Sequence, residues 1–275
     1  MLVNRLLIAI VLLVALGLSW IYLPNPFLQG VVAGGFLIGA WEWSVLAGFT
    51  HVPFRLLYLT CFIITLVIAL YVSGLLGGVL DLLMVREVMG AVVACWAVFF
   101  LWVIQFPSSQ VIWKSSFVRA LMGLVVLVPS CMALMVFLEM PAGRYLFIYC
   151  ISVVVCADTG AYVFGRLWGR RKLLLAVSPG KTCEGFVGGV FACGLLAWLV
   201  GSQMSMMPLS TRALIGVTIV VAVFSVLGDL LESMVKRFCG VKDSGRLLLS
   251  HGGVLDRIDS ITAAAPVFLL FVLLL

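Results

Sequence analysis

The chain alternates long apolar runs with short polar breaks. Taken in order, the runs cover residues 5–23, 27–48, 55–77, 88–105, 118–138, 145–165, 185–201, 211–228 and 260–275. A bilayer core about 30 Å thick is crossed by about 20 apolar residues in a helix, so each run has the size of one crossing. Within a run the apolar residues are continuous. That excludes an outer-membrane barrel, whose strands change face at every second residue. The pattern predicts an all-α polytopic membrane protein with about nine transmembrane helices. They form one transmembrane domain, with N-terminal spans in 1–144 and, in 145–275, the spans and loops that carry the candidate chemistry.

Composition agrees with this reading. Charged residues are 10% of the chain, hydrophobic residues 64%, and mean hydropathy is +1.28, against about 25% charged residues in a soluble domain. No separate soluble domain fits between the runs. The first run is long and has no small-residue cleavage site before Pro24, so it is expected to be a retained span and not a signal peptide. Eight cysteines lie mostly inside apolar runs without a C-x-x-C pair, which indicates neither a disulfide framework nor a zinc site.

Charge sets the orientation. With the amino terminus in the cytoplasm, fourteen of the seventeen Lys and Arg residues fall on the cytoplasmic side, leaving Arg86, Arg144 and Arg212 outside. The positive-inside rule favours this arrangement over its inverse. The net charge of +6 then reads as topology signal and attraction to anionic headgroups; nucleic acid is not an expected partner.

Polar chemistry is confined to two stretches, both on the cytoplasmic side and joined by the hairpin of runs 185–201 and 211–228. The first begins at Cys156-Ala-Asp-Thr-Gly-Ala-Tyr162, where Asp158 is an expensive carboxylate near the end of a span and a functional candidate by default. The alternative is an Asp bonded to a neighbouring helix. Gly160, Ala161, Gly165 and Gly169 make a smooth strip for close helix approach. Ser178-Pro-Gly-Lys-Thr182 follows, with Glu184 behind it. Its Gly-Lys-Thr lacks the glycine five positions earlier, where Leu175 stands, and lacks the preceding strand of a P-loop. The expectation that survives is a Ser-Pro-Gly turn starting a helix, whose free N–H groups beside Lys181 form a phosphate cradle; the bland reading is a helix start with surface basic residues.

In the second stretch, Asp229, Glu232, Ser233, Lys236 and Arg237 share much of one helical face. A loop with Lys242 and Asp243 follows, then Ser250-His-Gly-Gly-Val-Leu-Asp-Arg-Ile-Asp259. Asp256 and Asp259, three apart, project from one side of the helix leading into the last span. Asp229, Asp243, Asp256 and Asp259 interleaved with Lys236, Arg237, Lys242 and Arg257 form either a solvated ion-pair loop or a divalent-metal and phosphate site. The second is favoured, because Mg²⁺ typically takes one or two carboxylates and shares phosphate oxygens of the substrate. His251 reads as a general acid, a metal ligand or a loop anchor.

The run S-M-V-K-R-x4-K-D-S-G-x5-H-G-G-V-L-D-R-I-D from Ser233 to Asp259 closely resembles the signature of the phosphatidate cytidylyltransferase family. A-D-T-G-A-Y from Ala157, S-P-G-K-T-x-E-G from Ser178 and Trp41-Glu42-Trp43 are also similar to this family. The chain departs from it at Leu249, Ser250 and Cys183, where the family usually has Pro or Gly, Gly, and Trp.

The resemblance implies a Mg²⁺-dependent transfer of CMP from CTP to phosphatidate, giving CDP-diacylglycerol and pyrophosphate in phospholipid biosynthesis, at the cytoplasmic face of the inner membrane. It implies metal ligation by Asp229, Asp256 and Asp259, with a second cation as an option, and catalytic parts for Asp158, Lys242, Asp243, His251 and Arg257. Ser178, Lys181, Ser233, Lys236 and Arg237 are the implied phosphate-binding positions. The runner-up is the same chemistry on a polyprenyl phosphate; a transporter ranks lower, because no internal repeat appears and the charges gather at one face. GxxxG spacings at Gly35–Gly39 and Gly185–Gly189 suit a homodimer or packing within one chain equally.

Overall fold

The computed structural model describes residues 23–203, 208–245 and 252–275. The described elements are α1 (Asn25–Leu46), α2 (Val52–Val72), α3 (Leu82–Ile104), a single-turn α4 (Gln110–Trp113), α5 (Ser116–Glu139) and α6 (Gly143–Trp168), then β1 (Lys172–Leu174), β2 (Ser178–Thr182), α7 (Cys183–Gln203), α8 (Thr211–Phe238) and α9 (Leu255–Leu274). Seven of these helices, α2, α3 and α5 to α9, are long and apolar enough to cross a membrane. Helix α1, 22 residues long, carries Asn25, Gln29 and Glu42 among its apolar residues. The first apolar run lies almost wholly outside the described residues.

Local chemistry explains where helices begin. Asp81, Ser115 and Ser210 each accept the backbone N–H three residues on, from Met84, Val118 and Ala213, which is the bond an N-cap makes. The cap at Asp81 starts α3 six residues before its apolar run, so Arg86 and Glu87 lie within the helix. Helix α8 continues ten residues past position 228, as its amphipathic tail predicts.

Helix α5 is the axis of the bundle. Its apolar window is 83% buried, and α1, α2, α3, α6 and α9 all pack on it. Inside this core two prolines remove backbone N–H groups, Pro129 from α5 and Pro266 from α9. Pro266 leaves the carbonyl of Thr262, four residues earlier, without its helical donor. The Ser130 hydroxyl of α5 lies 2.5 Å from that carbonyl and 2.6 Å from the carbonyl of Val126. A side chain on one helix thus meets the need that a proline creates on its neighbour, as a water-free interior requires.

The α6–α7 seam is closed by glycine. A Cβ on Gly189 would stand 2.6 Å from the Ala157 carbonyl, and one on Gly185 2.7 Å from that of Ala161. The Gly185–Gly189 spacing therefore serves packing within the chain. Gly35 has open space about it and Gly39 meets Ile258 of α9. Gly228 does for α8 and α9 what the seam glycines do for α6 and α7, since a Cβ there would collide with the Asp259 carbonyl.

Among the described residues, the departure from helical architecture lies at the segment expected to be a helix-starting Ser-Pro-Gly turn. Residues Ser178–Thr182 are instead strand β2, antiparallel to β1 with Lys172 opposite Thr182 and Leu174 opposite Ser178. Both strands of a two-stranded ribbon are edges, so Pro179 costs no central ladder bond. The helix starts only at Cys183, where the Thr182 hydroxyl accepts the Gly185 N–H at 3.1 Å.

Ser130→Ala is expected to lower stability by about 1 kcal/mol, the scale of an interhelical hydrogen bond in a membrane, read as an earlier unfolding midpoint in detergent. An unchanged midpoint would mean that the Thr262 carbonyl finds another donor.

Candidate active site

The two polar stretches meet where α6, the hairpin, α7 and α8 come together. Asp158, Tyr162 and Arg166 recur every four residues along α6 and so share a face, and Arg166 donates to the Tyr162 hydroxyl at 3.0 Å. They wall a cavity of about 420 Å³ that is also lined by Leu173, Lys181, Thr182, Phe186, Val226 and Asp229. Across it Lys181 Nζ of β2 lies 2.6 Å from Asp229 Oδ2 of α8. The Ser233 hydroxyl, one turn on, donates to Asp229 Oδ1 at 3.1 Å. Asp158 is within electrostatic reach of both Asp229 and Lys181.

Two contacts hold the hairpin that delivers Lys181. The Glu184 carboxylate accepts the backbone N–H groups of Arg170 at 3.0 Å and Arg171 at 3.1 Å. Arg237 Nε donates to the Val177 carbonyl at 3.3 Å, tying the end of α8 to the hairpin turn.

A second polar cluster lies further along α8. Lys236 Nζ stands 2.6 Å from Asp256 Oδ1 and 3.3 Å from Glu232 Oε1. All three side chains are nearly buried, Glu232 most completely, at 2% exposure. Asp256 Oδ2 accepts the Gly253 N–H at 2.8 Å and the Ser244 N–H at 3.1 Å. This carboxylate therefore joins α8, the loop at 242–245 and the start of α9. Asp259, one turn into α9, is within electrostatic reach of Glu232 and Asp229 and so links the two clusters.

Among the residues named from sequence, Asp158, Lys181, Asp229, Ser233, Lys236, Asp256 and Asp259 are brought into this one connected system. Ser178 sits on β2 three residues before Lys181. Lys242 and Asp243 lie exposed on the loop and Arg257 is exposed on the first turn of α9. His251, with Leu249 and Ser250, lies outside the described residues. Tyr162, Arg166 and Glu232 were not singled out for the site. The signal for the first two was their spacing of four and eight residues from Asp158. For Glu232 it was a carboxylate on the same helical face as Asp229 and Lys236.

Five carboxylates, Asp158, Asp229, Glu232, Asp256 and Asp259, face two lysines, Lys181 and Lys236. That donor set, made wholly of oxygen atoms, suits a hard divalent cation. Among the described residues no group of three or more His, Cys, Asp or Glu is placed to hold a metal ion by itself. Such a set fits an ion that completes its coordination with phosphate oxygens of a substrate.

Lys236→Met should destabilise the protein by about 3–5 kcal/mol, the cost of stranding buried charge when one partner of a buried pair is removed. Thermal unfolding in detergent would show it. A wild-type midpoint would mean that Glu232 and Asp256 are neutralised by other means.

The model of the "Cytidylyltransferase family" matches residues 3–275. A phosphatidate cytidylyltransferase of Pseudomonas aeruginosa is 38% identical over 270 residues, covering 98% of this chain and 96% of that one. One from Haemophilus influenzae is 35% identical over 289 residues, covering 98% of each. One from Staphylococcus aureus is 45% identical over 124 residues, covering 45% of this chain and 47% of that one. With the match running over nearly the whole chain, both polar clusters included, this multi-pass membrane protein belongs to the cytidylyltransferase family.

Proposed function

We propose that the protein transfers CMP from CTP to phosphatidate, forming CDP-diacylglycerol and releasing pyrophosphate, at the cytoplasmic face of the membrane in which it is embedded. The observation that carries this reading is a pair of adjoining compartments. The polar cavity at Lys181 and Asp229 shares the side chains of Leu173, Phe186 and Val226 with an apolar groove of about 590 Å³. Trp96, Phe100, Val103, Val223, Phe224 and Leu230 are among the groove's other walls. A water-soluble nucleotide and a lipid phosphate need such an arrangement: charged groups meet in one compartment and acyl chain lies in the other. The related proteins carry this activity in their names, and the distribution of Lys and Arg supports the cytoplasmic orientation.

In the reaction an oxygen of the phosphatidate phosphomonoester attacks the α-phosphorus of CTP. The bond from that phosphorus to the oxygen bridging the β-phosphate breaks, and pyrophosphate leaves with the electron pair. The attacking oxygen is already ionised at neutral pH, so no strong base is required. The difficulty is electrostatic, because two polyanions must approach, and fixed cationic groups lower that barrier. Lys181 is placed for this on the cavity wall. Lys236, between Glu232 and Asp256 further along α8, fixes Asp256, which holds the loop at 242–245 through the Ser244 N–H. Arg166, directed by Tyr162, supplies a further cation at the cavity rim.

Asp229 and Asp259 would hold Mg²⁺ with phosphate oxygens of the nucleotide, supported by Asp158; Asp256 would reach the ion by releasing Lys236 or a backbone N–H. Bound there, Mg²⁺ would offset negative charge on the attacking and leaving oxygens.

Purified protein in detergent is expected to incorporate labelled CTP into lipid only with phosphatidate and Mg²⁺, to stop on chelation and to resume on Mg²⁺ addition. Asp229→Asn should lower the rate by about 10² or more. Folded wild-type protein that makes no product from phosphatidate but does from a polyprenyl phosphate would move the assignment to that acceptor. Val223→Trp, which fills the apolar groove, should raise KM for long-chain phosphatidate several-fold while leaving KM for CTP unchanged. Equal KM values for the lipid would place the acyl chains elsewhere.

A further inference from the structure

Among the described residues one buried carboxylate belongs to neither polar stretch. Glu42 comes from α1, in the N-terminal half, and is 3% exposed. Its Oε2 accepts the Leu255 N–H at 2.7 Å and the Ser244 hydroxyl at 3.2 Å. Leu255 opens α9, and the residue before it, Val254, has no side-chain acceptor with which to cap the helix. The cap is therefore provided by another helix, more than two hundred residues away in sequence.

The fit around Glu42 is close on both sides. A Cβ on Gly245 would collide with Oε1, and a Cβ on Gly253 would collide with Oε2 and with the Ser244 hydroxyl. Both glycines flank the segment that carries the signature's histidine. The neighbours of Glu42 hold α1 in place for this contact. Trp43 Nε1 donates to the Arg119 carbonyl of α5 at 2.8 Å, and Trp41 lies under the Arg55 guanidinium at 3.6 Å from the ring centroid. Consecutive helix residues point about 100° apart, so Trp41, Glu42 and Trp43 reach three different neighbours from a single turn.

We propose that Glu42 is a positioning residue for the transfer site, clamping the loop at 242–245 to the first turn of α9 so that Asp256 and Asp259 are held in register with Asp229 and Lys236. It acts through the loop and the helix start it holds; Asp256 grips the same loop through the Ser244 N–H. The inference rests on the cytidylyl-transfer reading for its activity measurement and on local hydrogen exchange for its structural one.

Glu42→Ala, Glu42→Gln and Ser244→Ala are compared with wild type for kcat, KM and amide exchange. The Ala variant is expected to lose about 10²-fold in kcat, the scale of a catalytic group displaced by about 1 Å, with KM for CTP little changed and faster exchange confined to 242–245 and 252–259. Glutamine retains a carbonyl acceptor for both donors and should recover most of the rate. Gly245→Ala should damage wild type but add little to Glu42→Ala, because the atoms its Cβ would meet first all belong to the Glu42 side chain. A Glu42→Ala protein with wild-type kcat, or one whose exchange rises throughout α1 to α5, overturns the proposal. If that variant does not fold, Ser244→Ala decides by the same readouts. Wild-type protein without transferase activity would count against the reaction alone, since the exchange measurement would still test the clamp.

Discussion

The structure depends on neutralising carboxylates at the end of a bilayer-spanning bundle. Helix α8 carries Asp229 and Glu232 within one turn, and α9 brings Asp256 and Asp259 against them through the close approach that Gly228 permits. Unpaired, these groups would repel and would be costly to remove from water. Lys181 and Lys236 answer them at 2.6 Å each, and each lysine comes with a structural commitment. Lys181 requires the β-hairpin to fold back over the cavity, and Lys236 requires α8 to continue helically beyond its apolar run.

The same pairing prepares the site for anions. Two lysines and Arg166 facing five carboxylates leave the carboxylates in excess, an imbalance that a divalent cation would reduce. In that state the lysines would be freed to face phosphate oxygens. The ion pairs hold Lys181 and Lys236 in a defined geometry. That is the arrangement electrostatic catalysis requires.

Much of this was legible in the sequence because membrane proteins have a narrow grammar. Continuous apolar runs located the helices, and the glycine strip from Gly160 located the α6–α7 seam. The i, i+3 and i, i+4 spacings of α8 and α9 put Asp229, Lys236, Asp256 and Asp259 on facing surfaces. What escaped was set by contacts distant in the chain. Ser178–Thr182 carries turn-forming residues, yet pairing with Lys172–Leu174 makes it a strand. The start of α3 moved upstream because Asp81 caps it, an effect that apolar content does not register. Glu42 was visible as an acidic residue in an apolar run, but its target, a helix start without its own cap, depends on how α1 and α9 pack.

The length of α8 has a consequence for how the protein lives in its membrane. Its 28 residues span about 42 Å at about 1.5 Å each, some 12 Å more than a hydrocarbon core of about 30 Å. The surplus is about eight residues, close to the stretch from Asp229 to Arg237. The charged residues from Asp229 to Arg237 therefore lie beyond the length of helix needed to cross that core. A thicker bilayer would draw Asp229 and Lys181 toward hydrocarbon, and a thinner one would lift them past the lipid phosphates. Bilayer thickness becomes a ruler against which the site is measured, and lipid composition a variable of the chemistry as well as its product.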